Sequence, residues 1–370
     1  MQTSTYGENR IWSAVKKKYS IFLAVFALFL ICSFASPNFL SATNLTNISR
    51  QLAVTTILAF GETILIISGM LDLSSGAVLA FSGVLAVSAF KATNSILVAF
   101  LVGILVSLFC NLLNAVMVTT FKAPAFIATL AMQAMARGAA LLFTKGQNIL
   151  QLGKFTKIGQ GSVYGLPTPI IFLIVITVIT WYTLRHTRFG RSLYAIGGNE
   201  EAAVASGINV ARVKYKAFLL NGLLVGIAGI IFMSRVNAGL PNGAKDYETQ
   251  ALTAAIIGGT SFSGGVGTAP GTLAGAFIVG FLDNIMNLKG VDSYLQQIVR
   301  GFIIAIAVIY DIWAKTRKTN SRLGSIENQG GKKGKGRREE TKEHEEEENP
   351  EQNPEIEKKE KASAGNTRDV

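Results

Sequence analysis

Apolar runs of about 17–25 residues recur between positions 20 and 313, separated by polar or Gly/Pro-rich breaks. Runs of that length match helices that cross a hydrocarbon layer roughly 30 Å thick. The first covers 20–36 and ends at Pro37-Asn38. Spans follow near 51–68, from 77 to 90, and at 95–118, 125–143, 170–184 and 217–234. The stretch 249–288 is apolar but broken in its middle by Gly, Ser, Thr and Pro, and reads as two further spans; 294–313 closes the set. The pattern predicts an all-α polytopic membrane protein of about ten transmembrane helices with re-entrant breaks. The first run has the basic flank and small-residue end of a signal peptide, but the many later spans favour an uncleaved first helix.

Two interruptions carry the most information. Gly-Met-Leu-Asp-Leu-Ser-Ser-Gly at 69–76 separates the second and third spans, and Gly-Gly-Thr-Ser-Phe-Ser-Gly-Gly at 258–265 divides the long stretch. Non-helical backbone at membrane depth is tolerated only where protein covers it or where it lines a cavity. Each break has an apolar approach, a Gly/Ser-rich interruption and a small-residue helix, an internal echo of the kind transporters place beside a path. Glu62, Asp72, Ser74, Gly258, Gly259, Thr260, Ser261, Gly264 and Gly265 are therefore candidates for the translocation path or the helix breaks. Glu62 and Asp72 stand out because an intramembrane carboxylate is costly. Asp72 precedes Ser74-Ser75, where a short acceptor satisfies exposed N–H groups, and the capping role fits it better. For Glu62 a water-filled path and a buried pairing both stay open. Arg137, within the fifth span, reads as a structural charge that needs a carboxylate or carbonyl partner.

The loops divide by character. Residues 144–169 and 235–248 read as outside loops, the first with a short interfacial helix. Residues 185–216 form the longest polar stretch between spans, and Arg185, Arg188, Arg191, Arg212, Lys214 and Lys216 place it in the cytoplasm. Within it, Asn199, Glu200, Glu201, Ala202, Ala203, Ser206 and Gly207 spell a short helix: an N-cap, two acids at the positive end, an Ala-rich centre and a C′ glycine. Two turns are marginal alone in water, so the helix needs a partner surface. An amphipathic linker is the plainer alternative.

Composition adds limits. The 370 residues are 49% hydrophobic and carry a formal charge of +12. Positive-inside orientation accounts for that excess better than nucleic-acid binding does. The boundaries expected are a cytoplasmic segment at 1–19, a transmembrane domain at 20–313 and a charged, low-complexity tail at 314–370 that cannot bury enough apolar area to fold. Both termini fall in the cytoplasm. Cys32 and Cys110 lie in apolar runs, and with only His186 and His344 a His-based metal centre is not expected. No phosphate loop, HExxH or G-x-S-x-G element occurs, so no catalytic residue, cofactor or nucleotide hydrolysis is expected of this chain.

Four stretches together resemble the membrane permease of bacterial ABC-type sugar importers, in the ribose/xylose/galactose branch. They are Ser-Gly-Met-Leu-Asp-Leu-Ser-Ser-Gly at 68–76; Ala-Phe-Ile-Ala-Thr-Leu at 125–130 with Arg137-Gly138; the 186–208 stretch containing Ala-Ile-Gly-Gly-Asn-Glu-Glu-Ala-Ala; and the 258–265 glycine run with Gly271-Thr272 and Gly275. Met70 and Leu71 depart from the usual small residue and Ile, and Glu62 stands where an uncharged residue is common. The resemblance implies a ribose-permease-like (BtuC-like) importer fold in the bacterial cytoplasmic membrane. It implies a second permease subunit as a homodimer partner, surrounding membrane lipid, cytoplasmic ABC ATPases docked on the helix at 199–207, and an extracytoplasmic sugar-binding protein. A self-contained ion-coupled transporter using Glu62, Asp72 or Asp283 is the alternative.

Overall fold

The computed structural model describes residues 5–309 and 312–313; the charged tail expected at 314–370 lies outside the described residues. In chain order the helices are α1 (Thr5–Ala35), α2 (Ala42–Ile67), α3 (Ser75–Thr93), α4 (Ile96–Thr119), α5 (Ala125–Thr144), α6 (Lys157–Gln160), α7 (Thr168–His186), α8 (Arg188–Gly198), α9 (Glu200–Ala205), α10 (Val210–Val236), α11 (Tyr247–Ile257), α12 (Ala269–Leu288) and α13 (Ser293–Ile309). Local chemistry sets the starts. Ser41, Ser95, Thr187, Asn199, Asn209 and Thr268 each accept a backbone N–H in the first turn of α2, α4, α8, α9, α10 and α12, relieving one of the donors a helix leaves unmet.

Seven of the described helices are long and apolar enough to cross a membrane, and two shorter apolar helices, Ser20–Ala35 within α1 and Ser293–Ile309, accompany them. The enclosed helices are α2 and α10, whose apolar windows are 89% and 78% buried, against 28% for α4, α5 and α7. On α4, Leu97, Leu101, Leu105 and Phe109 recur every four residues and stay exposed. An apolar stripe of that extent belongs in lipid, not water. Glycine lets α10 approach its neighbours: a Cβ at Gly222 would lie 2.8 Å from the Asn111 Cβ, and one at Gly229 would lie 2.8 Å from the Leu79 carbonyl.

Among the described residues the strands lie at one end, where two-residue segments pair 149–150 with 238–239 and 162–163 with 166–167. Beyond 239 the chain departs from the expected outside loop. Arg137 Nη1 donates to the Pro241 and Gly243 carbonyls, both at 2.8 Å. A Cβ on Gly76 would meet the Ala244 carbonyl at 2.7 Å. Gly76 lies in the first turn of α3, and Lys91 near its far end reaches the Leu150 carbonyl. Fifteen residues of helix is about 22 Å, so residue 244 sits deep in the body. The segment 240–246 is re-entrant. Starting from that depth, the 11 residues of α11, about 16 Å, reach the opposite end. The eighth span is therefore a half-crossing, and ten crossings holds only as a round number.

Candidate functional site

The two breaks end their helices in the same way. After α2, the Gly69 N–H donates to the Ile66 carbonyl and the Met70 N–H to the Leu65 carbonyl; after α11, Gly259 donates to Ile256 and Thr260 to Ala255. Gly69 and Gly259 hold φ of 78° and 85°. Both are Schellman motifs, whose left-handed C′ position favours glycine. The internal echo in the sequence is thus a repeated helix stop, 190 residues apart.

Three backbones then converge. The Gly265 N–H donates to the Ile67 carbonyl at 2.8 Å, tying the second break to the end of α2. Gly197 of α8 lies against both: a Cβ there would fall 1.8 Å from the Ile67 carbonyl oxygen and 2.6 Å from the Gly265 nitrogen. Tyr194, one turn earlier, donates its hydroxyl to the Gly267 carbonyl at 2.8 Å. Burial raises that phenol's pKa, so it keeps the proton it donates. The residues of α8 fall in the stretch 185–216 that the sequence marks as polar loop, and the structure folds them into a helix.

From α8 the chain bends at Asn199 into α9. Asn199 Oδ1 caps the Ala202 N–H at 2.8 Å, and Glu200 pairs with Lys214 at 2.9 Å. Gly207, at φ 80°, ends α9 in a third Schellman motif, with Gly207 N–H on the Val204 carbonyl and Ile208 N–H on Ala203. Ala203 packs inward, while Glu201, Ala202 and Ser206 are exposed and Val204 is 58% exposed. The helix has the expected caps and a free outer face.

Glu62, Asp72 and Ser74 lie in a separate, buried polar knot. Asp72 accepts from the Ser74 N–H at 2.8 Å and from the Ser74 hydroxyl through one oxygen, and from Asn221 Nδ2 at 2.7 Å through the other. Glu62 accepts from the Asp72 N–H at 3.2 Å and the Ser75 hydroxyl at 3.3 Å. Asn221 also donates to Asn111, and Asn114 donates to Ser74, so the first break is wired to α4 and α10. Beside it, Glu248 accepts from Gln133 at 3.1 Å. Thr260, Ser261 and Gly264 lie apart from this knot, in the second break, where Ser261 N–H reaches the Val266 carbonyl and Gly264 N–H the Ser261 carbonyl; Gly258 closes α11, where a Cβ would fall 2.6 Å from the Gly271 carbonyl oxygen.

Asn111, Asn114, Asn221 and Glu248 were not singled out from sequence. Three asparagines inside strongly apolar helices were the available signal, since such residues act as interhelical hydrogen-bond partners. Asp283, considered above for ion coupling, is paired with Arg300 at 2.9 Å. Among the described residues no three His, Cys, Asp or Glu side chains converge as a metal site requires.

Comparison with known proteins agrees with this architecture. Residues 44–308 match the family described as branched-chain amino acid transport system / permease component. The chain is 41% identical to the ribose import permease protein RbsC of Bacillus subtilis over 84% of its own length and 97% of the relative's. It is 38% identical to RbsC of Escherichia coli K12 (84% and 99%) and 34% identical to the L-arabinose transport system permease protein AraH of the same strain (85% and 95%). A multi-pass architecture in the inner membrane, work alongside an ATPase and a substrate-binding protein, and a non-catalytic role follow from that kinship. The chain belongs to this family of transport permease components, as the membrane subunit of an ABC-type sugar importer.

Proposed function

We propose that two copies of this chain form the path by which a ribose- or arabinose-like monosaccharide enters the cytoplasm. The α8–α9 end faces the cytoplasm with both termini, in keeping with the six basic residues between 185 and 216. The ATPase docks on α9 through Asn199, Glu200, Glu201, Ala202, Ala203, Ser206 and Gly207. The two breaks shape the path: Gly258, Gly259, Thr260, Ser261, Gly264 and Gly265 on one side, Ser74 with Asp72 and Glu62 on the other. Arg137 holds the re-entrant chain in place.

The observation that carries this reading is the three-way contact of Gly197, Ile67 and Gly265. At this contact main chain meets main chain, and Tyr194 ties α8 to Gly267 as well, so a displacement of α9 reaches both breaks with little slack. An ATPase drives the cycle only if it binds one permease state more tightly than the other. In this reading, closure pulls α9 and with it the contact at Gly197, and the permease state that accommodates the pull is the one the ATPase binds more tightly.

The test is ATP-driven sugar uptake in proteoliposomes holding the permease, its ATPase and its binding protein. Replacing Glu200 and Glu201 together by Lys is expected to cut uptake at least tenfold while ATP hydrolysis continues and the chain still inserts. Normal uptake by that variant counts against docking at α9. Concentrative uptake by the chain alone on an ion gradient overturns the ATP-driven reading altogether.

A further inference from the structure

A cavity of about 830 Å³ opens between the start of the first membrane run in α1, the end of α7, α8 and the second break. Its apolar wall includes Phe22, Trp181 and Ile257; its polar edge carries Arg185, Arg191 and Tyr194. The two arginines are exposed. The ion pairs among the described residues are Lys214–Glu200 and Arg300–Asp283, so neither arginine has a carboxylate partner there.

Position and chemistry point the same way. Arg185 lies in the last turn of α7, at the edge of the apolar layer, and Trp181 and Tyr182 are exposed beside it. Aromatic side chains at that depth mark the membrane–water interface. Two cations above an apolar wall match an anion carried on a hydrocarbon chain, and the volume far exceeds what an inorganic anion fills. Basic pockets between membrane helices on one face of the bilayer bind anionic lipid headgroups by this complementarity.

We propose that this cavity is a binding site for one anionic phospholipid. The phosphate lies between Arg185 and Arg191, and an acyl chain runs along Phe22 and Trp181. The far wall is formed by Gly258, Gly259 and the first turn of α12, so the bound lipid touches the second break directly. The site does not depend on which sugar is carried.

The experiment titrates the purified full chain in neutral detergent with short-chain phosphatidylglycerol, phosphatidylcholine or inorganic phosphate, reading the thermal midpoint. Phosphatidylglycerol is expected to bind roughly tenfold to thirtyfold more tightly than phosphatidylcholine, as two arginines near the surface imply. R185Q/R191Q loses that preference. R185K/R191K retains it, which separates a lost site from a misfolded protein, and R188Q, outside the cavity, retains it too. Equal binding of phosphatidylcholine, an equal response to inorganic phosphate, or the same loss in R188Q overturns the proposal. So does a preference that emerges only after residues 1–19 are removed, because the cavity then belongs to that segment.

Discussion

The first and second breaks begin alike and end differently. Each stops its helix with a left-handed glycine and the same pair of hydrogen bonds. After Met70 the first break turns to Asp72, whose carboxylate gathers Ser74 and Asn221 while Glu62 holds its N–H. The second has no acid. It closes through backbone bonds and presses Gly264 and Gly265, at φ 80° and 74°, against Gly197 and Gly198. One break is anchored by side chains inside the bundle; the other is held by main chain at the surface where α8 lies. Under the proposed mechanism the first break is the fixed side of the switch and the second the side that yields.

The sharpest way to break this comparison is Asp72→Ala. The Ser74 N–H loses its acceptor, and Asn221 keeps only Asn111. At about 1–3 kcal/mol per unmet buried donor, the expected destabilisation is roughly 2–4 kcal/mol, seen as a fall in the thermal midpoint of the detergent-solubilised chain. Asp72→Asn keeps an acceptor for Ser74 and is expected to fall less. Two variants of wild-type stability without uptake would mean that this carboxylate serves the solute and not the chain.

Gly197→Val tests the joint between the breaks. Its Cβ would strike the Ile67 oxygen and the Gly265 nitrogen, both main-chain atoms that cannot rotate away. Overpacking of this kind costs about 1–3 kcal/mol, and because it forces α8 off the breaks, ATP-driven uptake is expected to fall about tenfold or more. Binding of the ATPase, measured by co-purification, should persist. Uptake within twofold of wild type would show that α8 does not carry the movement.

Much of this was legible in the apolar pattern. Run lengths located the spans, and Asn199 with Gly207 marked α9 because caps are local chemistry. The knot was not legible, since Asn111, Asn114 and Asn221 come from two helices and meet Asp72 only through tertiary packing. The descent of 240–246 was hidden for a similar reason. Pro241-Asn242-Gly243 is turn chemistry wherever it lies, and its depth is fixed by residues far off in sequence, Arg137 and Gly76. The helix α8 does carry an apolar face, with Phe189, Leu193 and Ile196 at i, i+4 and i+7, but its two arginines and three glycines make the stretch read as polar loop.

The smallest expected effect sharpens the contrast from the other side. Thr260 holds the C″ position in the second break that Met70 holds in the first, and both are buried. Its hydroxyl has no hydrogen-bond partner among the described residues. A buried hydroxyl left unmet already bears its desolvation cost, so an apolar group of the same shape removes a penalty and no bond. The helix stop itself rests on the Thr260 N–H, which Val retains. Thr260→Val is therefore expected to leave the thermal midpoint unchanged or slightly raised, within about 0.5 kcal/mol, a surface-like response from a buried site. Uptake then separates two roles. Unchanged uptake fits a break that acts through its backbone. A loss of uptake at unchanged stability would show that the Thr260 hydroxyl meets the sugar or a water in the working cycle, and the second break would then be a chemical wall of the proposed path.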